Sequence, residues 1–149
     1  MILREAVAGD INQLALLFDG YRQFYLKQSD VSAAKKFLGE RITHNDSVIF
    51  VAEENQMMVG FAQLYPLFSS TRMKRLWLLN DLFVKEDFRG KGISKLIIEK
   101  CFQLAKETDA CGIMLETDRS NTIGNKLYKQ MGFQLIESNF YFHENISEG

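Results

Sequence analysis

The chain is poor in proline, with Pro66 alone among 149 residues, and it holds only two cysteines, two histidines and one tryptophan. Linkers and polyproline segments are built from proline, and no Gly/Ser-rich, low-complexity or repeated tract takes their place, so one domain over residues 1–149 is expected. Cys101 and Cys111 cannot make a disulfide framework and have no His or Cys at ligand spacing, which points to reduced thiols and no metal. His44 and His143 also stand without partners at catalytic or ligating spacing, and ordinary surface or hairpin roles are expected for them. No apolar stretch approaches the roughly 20 residues that cross a bilayer, and Met1-Ile2-Leu3-Arg4-Glu5 lacks a signal peptide's order of regions. The expected location is the cytoplasm, with no membrane partner. Excess charge is missing too: 18 Lys+Arg against 19 Asp+Glu leaves a net charge of −1, so nothing general draws the chain to nucleic acid.

What is present is enough apolar residue, 46% of the chain, to bury a sizeable core. Ile2 to Val7 reads as a strand, and Asp10 as the cap of a helix whose apolar side is Leu14, Leu17, Phe18, Tyr21 and Tyr25. A second helix starts near Ser32 with Phe37, Leu38 and Ile42 inward. Val48 to Glu53 and Met57 to Leu67 flank the turn Glu54-Asn55-Gln56 as a hairpin, closed by Pro66 and Ser69-Ser70-Thr71. Leu76 to Val84 joins that hairpin as a continuous apolar run, suited to a strand covered on both faces. A helix over Gly92 to Glu107, a strand over Gly112 to Thr117, a helix from Asn121 and a final pair of short strands within Phe133 to Glu144 complete the order. The expected class is α/β, a mixed sheet with helices on both faces.

The most informative stretch runs from Asn80 to Ser94, where an apolar strand leads through Arg89-Gly90-Lys91-Gly92 into an amphipathic helix carrying Ile93, Leu96, Ile97, Cys101 and Leu104 on one side. A helix start has unpaired N–H groups and a partial positive charge, and glycines let a diphosphate come close, so the turn reads as an anion cradle. It is not a Walker loop, because no Gly-Lys-Ser or Gly-Lys-Thr occurs, and a dinucleotide fingerprint would need glycine where Lys95 stands. Arg89, Gly92 and Ser94 instead fit Arg/Gln-x-x-Gly-x-Gly/Ala, with serine at the last place. Downstream, Asn121-Thr122-Ile123-Gly124-Asn125-Lys126-Leu127-Tyr128-Lys129-Gln130-Met131-Gly132-Phe133 fits Asn-x-x-Ala-x-x-Leu-Tyr-x-x-x-Gly-Phe, with Gly124 at the alanine place. On these two motifs the chain resembles the GNAT superfamily of N-acetyltransferases, over essentially its whole length.

The resemblance implies the GNAT acyl-CoA N-acyltransferase fold, acetyl-CoA as cosubstrate, and a role for each matching residue. Main-chain amides of Arg89, Gly90, Lys91, Gly92, Ile93 and Ser94 would hold the diphosphate, and the backbone of Leu82, Phe83 and Val84 would pair with the pantetheine arm. Asn121 would bond the same arm, although Asn is also a good plain helix cap. Tyr128 would give its proton to the departing thiolate; a phenol of ordinary pKa, about 10, is protonated at neutral pH. The alternative is one more apolar-face residue.

Asp81 bears on the acceptor, since a carboxylate inside an apolar strand needs a partner or a cleft. Asn80-Asp81-Leu82-Phe83-Val84 resembles the Glu-Asp-Phe-Phe-Val sequence of diamine acetyltransferases, which implies contact with the substrate amine or acceptance of its proton. An ion pair with Arg75 or Arg119 is the structural alternative. Glu116 is a second candidate base and Glu53 a weaker third. Tyr21, Phe24, Tyr25 and Trp77 serve either as core or as pocket wall. The expectation is acetyl transfer to a primary amine of a small molecule by direct transfer in a ternary complex. A protein or peptide N-acetyltransferase and a non-catalytic CoA-binding module are the alternatives, and the resemblance leaves room for a homodimer.

Overall fold

The computed structural model describes residues 1–146. They fall into two compact units, Met1–Glu116 and a second that begins at Thr117.

The first unit is built on a sheet of five strands in the spatial order β1 (Ile2–Glu5), β2 (Val48–Glu54), β3 (Met57–Ser69), β4 (Lys74–Val84) and β5 (Ile113–Met114). The first three junctions are antiparallel and β4 runs parallel to β5, so the expected mixed sheet is found. Two helices, α1 (Ile11–Phe24) and α2 (Val31–His44), cover one face, where Leu14, Phe18, Ala34 and Leu38 pack on Ile49, Val51, Met58 and Phe61. The other face receives α3 (Ile93–Glu107), whose Ile93, Ile97 and Cys101 meet Phe50, Ala52, Leu64, Leu79 and Val84. Alternation along each strand supplies both faces, and each fully buried large side chain stabilises by roughly 1.5–3 kcal/mol.

Two bulges interrupt that alternation. Ala52 pairs with Gly60 and Glu53 with Met58, so Val59 is an extra residue in β3. Gln63 pairs with Asp81 and Leu64 with Leu79, so Asn80 is an extra residue in β4. Ahead of Asn80, Trp77 and Leu79 face α3; after it, Leu82 and Val84 do, and Asp81 and Phe83 turn to the α1/α2 face. The side-chain phase of β4 is thus reset in mid-strand.

The β2–β3 turn uses Asn55 and Gln56, both at positive φ (51° and 63°). β3 runs on through Pro66 to Ser69 rather than closing at the proline. Its ladder with β2 ends at Leu64, so Pro66 withholds a donor only where that side has no partner. Asp10 does not cap α1. Its carboxylate turns back to the Val7 N–H (2.7 Å) and to Arg4 (2.7 and 2.8 Å). α2 opens on Asp30, whose side chain accepts from the Ala33 N–H at 3.0 Å.

The strand expected over Gly112 to Thr117 is only Ile113–Met114, bonded to Trp77 and Leu78. In the second unit, α4 (Thr122–Gln130) follows Asn121, whose side chain accepts from the Gly124 N–H at 3.1 Å. The expected strand pair within 133–144 is not formed, and residues 133–146 carry no regular secondary structure. Apolar residues such as Phe140 and Phe142 make a strand only where a ladder receives them; their propensity alone does not provide one. Among the described residues no helix is long and apolar enough to cross a membrane.

Candidate active site

β4 ends at Val84 and passes through one 3-10 turn, Glu86–Phe88, before the glycine-rich segment. Gly90 and Gly92 take φ of +77° and +80°, and a Cβ added at either would meet nothing within 4 Å. They are glycine because of the backbone they adopt, and they leave the surface above them open. The ladder of α3 begins with the Leu96 N–H donating to the Gly92 carbonyl (3.2 Å). The amides of Ile93, Ser94 and Lys95 precede it, and Gly92 has no side chain to cap them. This is the geometry of an anion site at a helix start.

Arg89 departs from the expected arrangement. Its N–H donates to the Glu86 carbonyl (3.2 Å), so this amide is already engaged within the turn. Its side chain folds back, with Nε donating to the Val84 carbonyl (2.8 Å) and the guanidinium lying 5.5 Å from the Phe24 ring centre and 5.3 Å from that of Phe83. The residue ties the turn to β4 and α1, a contact between elements that spacing along the chain does not reveal.

β5 pairs with Trp77 and Leu78 and stops, so among the described residues the strand from Leu79 to Val84 has ladder partners on the β3 side alone. Val84 is buried and Leu82 half-buried on the α3 face, while Phe83 packs beside Tyr21 with ring centres 6.0 Å apart. Side chains therefore hold the strand in the core while its main chain presents groups that an extended ligand can pair with.

Asp81 is 5% exposed and Gln63, its cross-strand partner, is fully buried. The Gln63 Nε2 donates to Asp81 Oδ2 at 2.8 Å and the Asn80 Nδ2 donates to Oδ1 at 3.0 Å, while the Tyr21 hydroxyl donates to the Asn80 carbonyl at 3.3 Å. Behind Gln63, the Ser47 hydroxyl donates to its Oε1 at 2.9 Å. Burial pushes the Asp81 carboxyl above its ordinary range, and the neighbouring Gln63, Tyr21 and Asn80 side chains pull it partly back. The neighbouring Tyr65 phenol is pushed up to about 12, by burial first and then by the Asp81 charge. The partners of Asp81 are neutral. Arg75 instead lies over the rings of Phe68 and Trp77, at 5.3 and 5.2 Å.

The other candidates fall as follows. Glu116 lies past the end of β5 and is exposed, and Glu53 is held by Arg4. Trp77 is core, its indole N–H donating to the Thr108 hydroxyl at 2.9 Å. Tyr21 is packed among Phe61, Phe83 and Tyr25, while Phe24 and Tyr25 are more exposed. In the second unit Asn121 caps α4 and its Nδ2 donates to the Thr117 hydroxyl at 2.9 Å, and Tyr128 is half-buried against the edge of Phe133. Among the described residues no group of His, Cys, Asp and Glu could hold a metal ion. Gln63 and Ser47 are the residues that sequence reasoning missed. The available signal was a glutamine inside the apolar run Met57 to Leu67, as anomalous there as Asp81 is in its own strand.

Comparison with known proteins bears on the family and the fold. The model of the Acetyltransferase (GNAT) family matches residues 14–133. An uncharacterized N-acetyltransferase of Bacillus subtilis, YhfO, is 40% identical over 134 residues, 90% of each chain. A probable acetyltransferase of Haemophilus influenzae is 29% identical over 99% of each chain. The crystal structure of a probable acetyltransferase superimposes with a TM-score of 0.90 at 33% identity, covering 100% of both chains.

Proposed function

The chain belongs to the Acetyltransferase (GNAT) family and is an acetyl-CoA-dependent N-acetyltransferase; from that premise we propose that it acetylates a primary amine of a small molecule by direct transfer in a ternary complex. The observation that carries this reading is Asp81, a buried carboxylate on the strand that ends in the glycine-rich turn.

Acetyl-CoA supplies an acetyl group activated as a thioester. The open surface over Gly90 and Gly92 and the one-sided backbone of Leu82 to Val84 fit its diphosphate and its extended arm. The amides of Gly90, Lys91, Gly92, Ile93 and Ser94 hold the diphosphate in this reading, with Arg89 bracing the turn from behind. Asp81 receives the proton that the attacking amine must lose, and a carboxyl raised by burial is a better base than an ordinary one. Glu116 is the second candidate for that task. Tyr128 gives a proton to the leaving thiolate, and Asn121 bonds the arm. We further place the protein in the cytoplasm, with a homodimer as the assembly to test by light scattering.

A panel of primary amines assayed with acetyl-CoA by release of free thiol tests the proposal. One amine class should be acetylated, and Asp81→Asn should cut turnover on it by about 100-fold, the lower end for a general base. Full activity of that variant would remove Asp81 from the mechanism, and activity confined to peptides would replace the acceptor class. Tyr128→Phe should leave acetyl-CoA affinity unchanged while turnover falls; an unchanged rate removes Tyr128.

A further inference from the structure

Ser47, Gln63 and Asp81 come from three separate places, the loop after α2, β3 and β4, and form one buried chain of hydrogen bonds, 2.9 and 2.8 Å long. A glutamine amide can present either its donor or its acceptor end, and a hydroxyl both donates and accepts. With Asp81 ionised, the carboxylate is an acceptor only, so Nε2 faces it and Ser47 donates to Oε1, as found. If Asp81 takes up a proton, the same three groups are satisfied by the opposite sense. The Asp81 hydroxyl then donates to Oε1, and after the amide has turned over Nε2 donates to the Ser47 Oγ. Neither state leaves a buried polar atom of the chain without a partner, a condition that burial makes costly to violate.

We infer that Ser47 and Gln63 are positioning residues, a reversible hydrogen-bond relay that satisfies the Asp81 carboxyl in both its ionised and its protonated form. Resting on the reading of Asp81 as proton acceptor, this explains how a carboxylate can cycle inside an apolar sheet: the proton leaves the substrate nitrogen, arrives on Oδ2, and the relay reverses. The other groups that face Asp81 are the Tyr21 hydroxyl from α1, Asn80 on its own strand and Tyr65 from β3. Tyr65 in turn senses the Arg41–Asp46 pair at the end of α2, 2.9 Å apart. That pair carries no net charge, and Tyr65, raised to about 12, stays neutral through the range in which a carboxyl titrates.

The test is NMR titration of the full chain with 13C-labelled aspartate and 15N-labelled glutamine, the Asp81 carboxyl signal being the one absent in Asp81→Asn. In the wild type the Gln63 side-chain amide signals should move with the same midpoint as Asp81. Amide signals that ignore that midpoint overturn the reversal. Gln63→Leu removes a donor from the ionised form and should raise the Asp81 midpoint by about one pH unit or more. Ser47→Ala should raise it by less, and Ser47→Thr, which keeps the hydroxyl, should restore it. If Gln63→Leu does not fold, the Ser47 pair decides: equal midpoints in Ser47→Ala and Ser47→Thr overturn the relay. Should the midpoints shift as stated while Asp81→Asn retains full turnover, the relay stands and its catalytic use falls. Should Asp81→Asn lose turnover while no midpoint moves, the base stands and the relay falls.

Discussion

Asp10 stands where a helix cap is expected and is used otherwise, and its charge is the reason. Two bonds from Arg4 come first in holding its carboxyl below the ordinary range, with the Val7 N–H adding to them. A carboxyl with a lowered folded pKa contributes stability that is fully present above its unfolded pKa and is lost as pH falls through the folded one. Asp10→Asn should therefore lower the unfolding free energy by about 1 kcal/mol at pH 7, discounted for the partly exposed arginine. The gap to wild type should close in the most acidic members of a pH series of urea titrations; a gap independent of pH would assign the effect to packing. Gly124 is a second case. A Cβ there would lie 2.3 Å from the Asn121 Nδ2, so the glycine leaves room for the cap. Alanine gains about 1 kcal/mol in helix propensity and forfeits a cap of about the same worth. Gly124→Ala alone should be nearly neutral, but stabilising by up to about 1 kcal/mol when added to Asn121→Ala, as read from amide exchange in α4. Equal effects in both backgrounds would separate the two residues.

At the scale of elements, α3 is placed by a close approach to the sheet. A Cβ on Gly60 would lie 3.1 Å from the Phe83 carbonyl oxygen and 3.3 Å from both the Ile97 and Val84 side chains. The carbonyl sits in the β3–β4 ladder and cannot yield without breaking it. Gly60→Ala should cost about 1–3 kcal/mol by overpacking, seen as a lowered melting temperature. Gly92 is a contrasting glycine, with open space around it and a left-handed backbone. Gly92→Ala costs roughly 1 kcal/mol of backbone strain and puts a methyl group at the cradle. Acetyl-CoA affinity by calorimetry should fall about tenfold, or ~1.4 kcal/mol, with the fold retained; unchanged affinity would move the diphosphate elsewhere. The glycine-rich turn and the helix after it were legible because glycines and helical periodicity are local signals. The bulges at Val59 and Asn80, the folded-back Arg89 and the Ser47–Gln63–Asp81 chain were not, since each depends on which strand residue meets which across the sheet.

Across the whole molecule, element order was read in the sequence nearly as it stands in the first unit, because apolar runs of different period mark strands and helices independently of their partners. The reading failed toward the end, where β5 is shorter than its apolar run and residues 133–146 form no strand. Strand formation there is decided by pairing rather than by composition. The two thiols differ in burial. Cys101 is fully buried and burial pushes its thiol up to about 12, whereas Cys111 is half-buried. In the folded protein at pH 8 a disulfide reagent should titrate at most one thiol, the second appearing only in denaturant; two fast thiols would contradict the packing of α3.

The single supernumerary residue of β4 acts as a frame for everything beyond it. Were Asn80 to take a place in the regular alternation instead, each later side chain would be chemically intact and on the wrong side: Asp81 would point at the isoleucines of α3, and Leu82 and Val84 at the aromatic rings of α1. Excising Asn80 should leave those faces as they are, because Asp81 would then follow Leu79 directly and simple alternation sets the two on opposite sides.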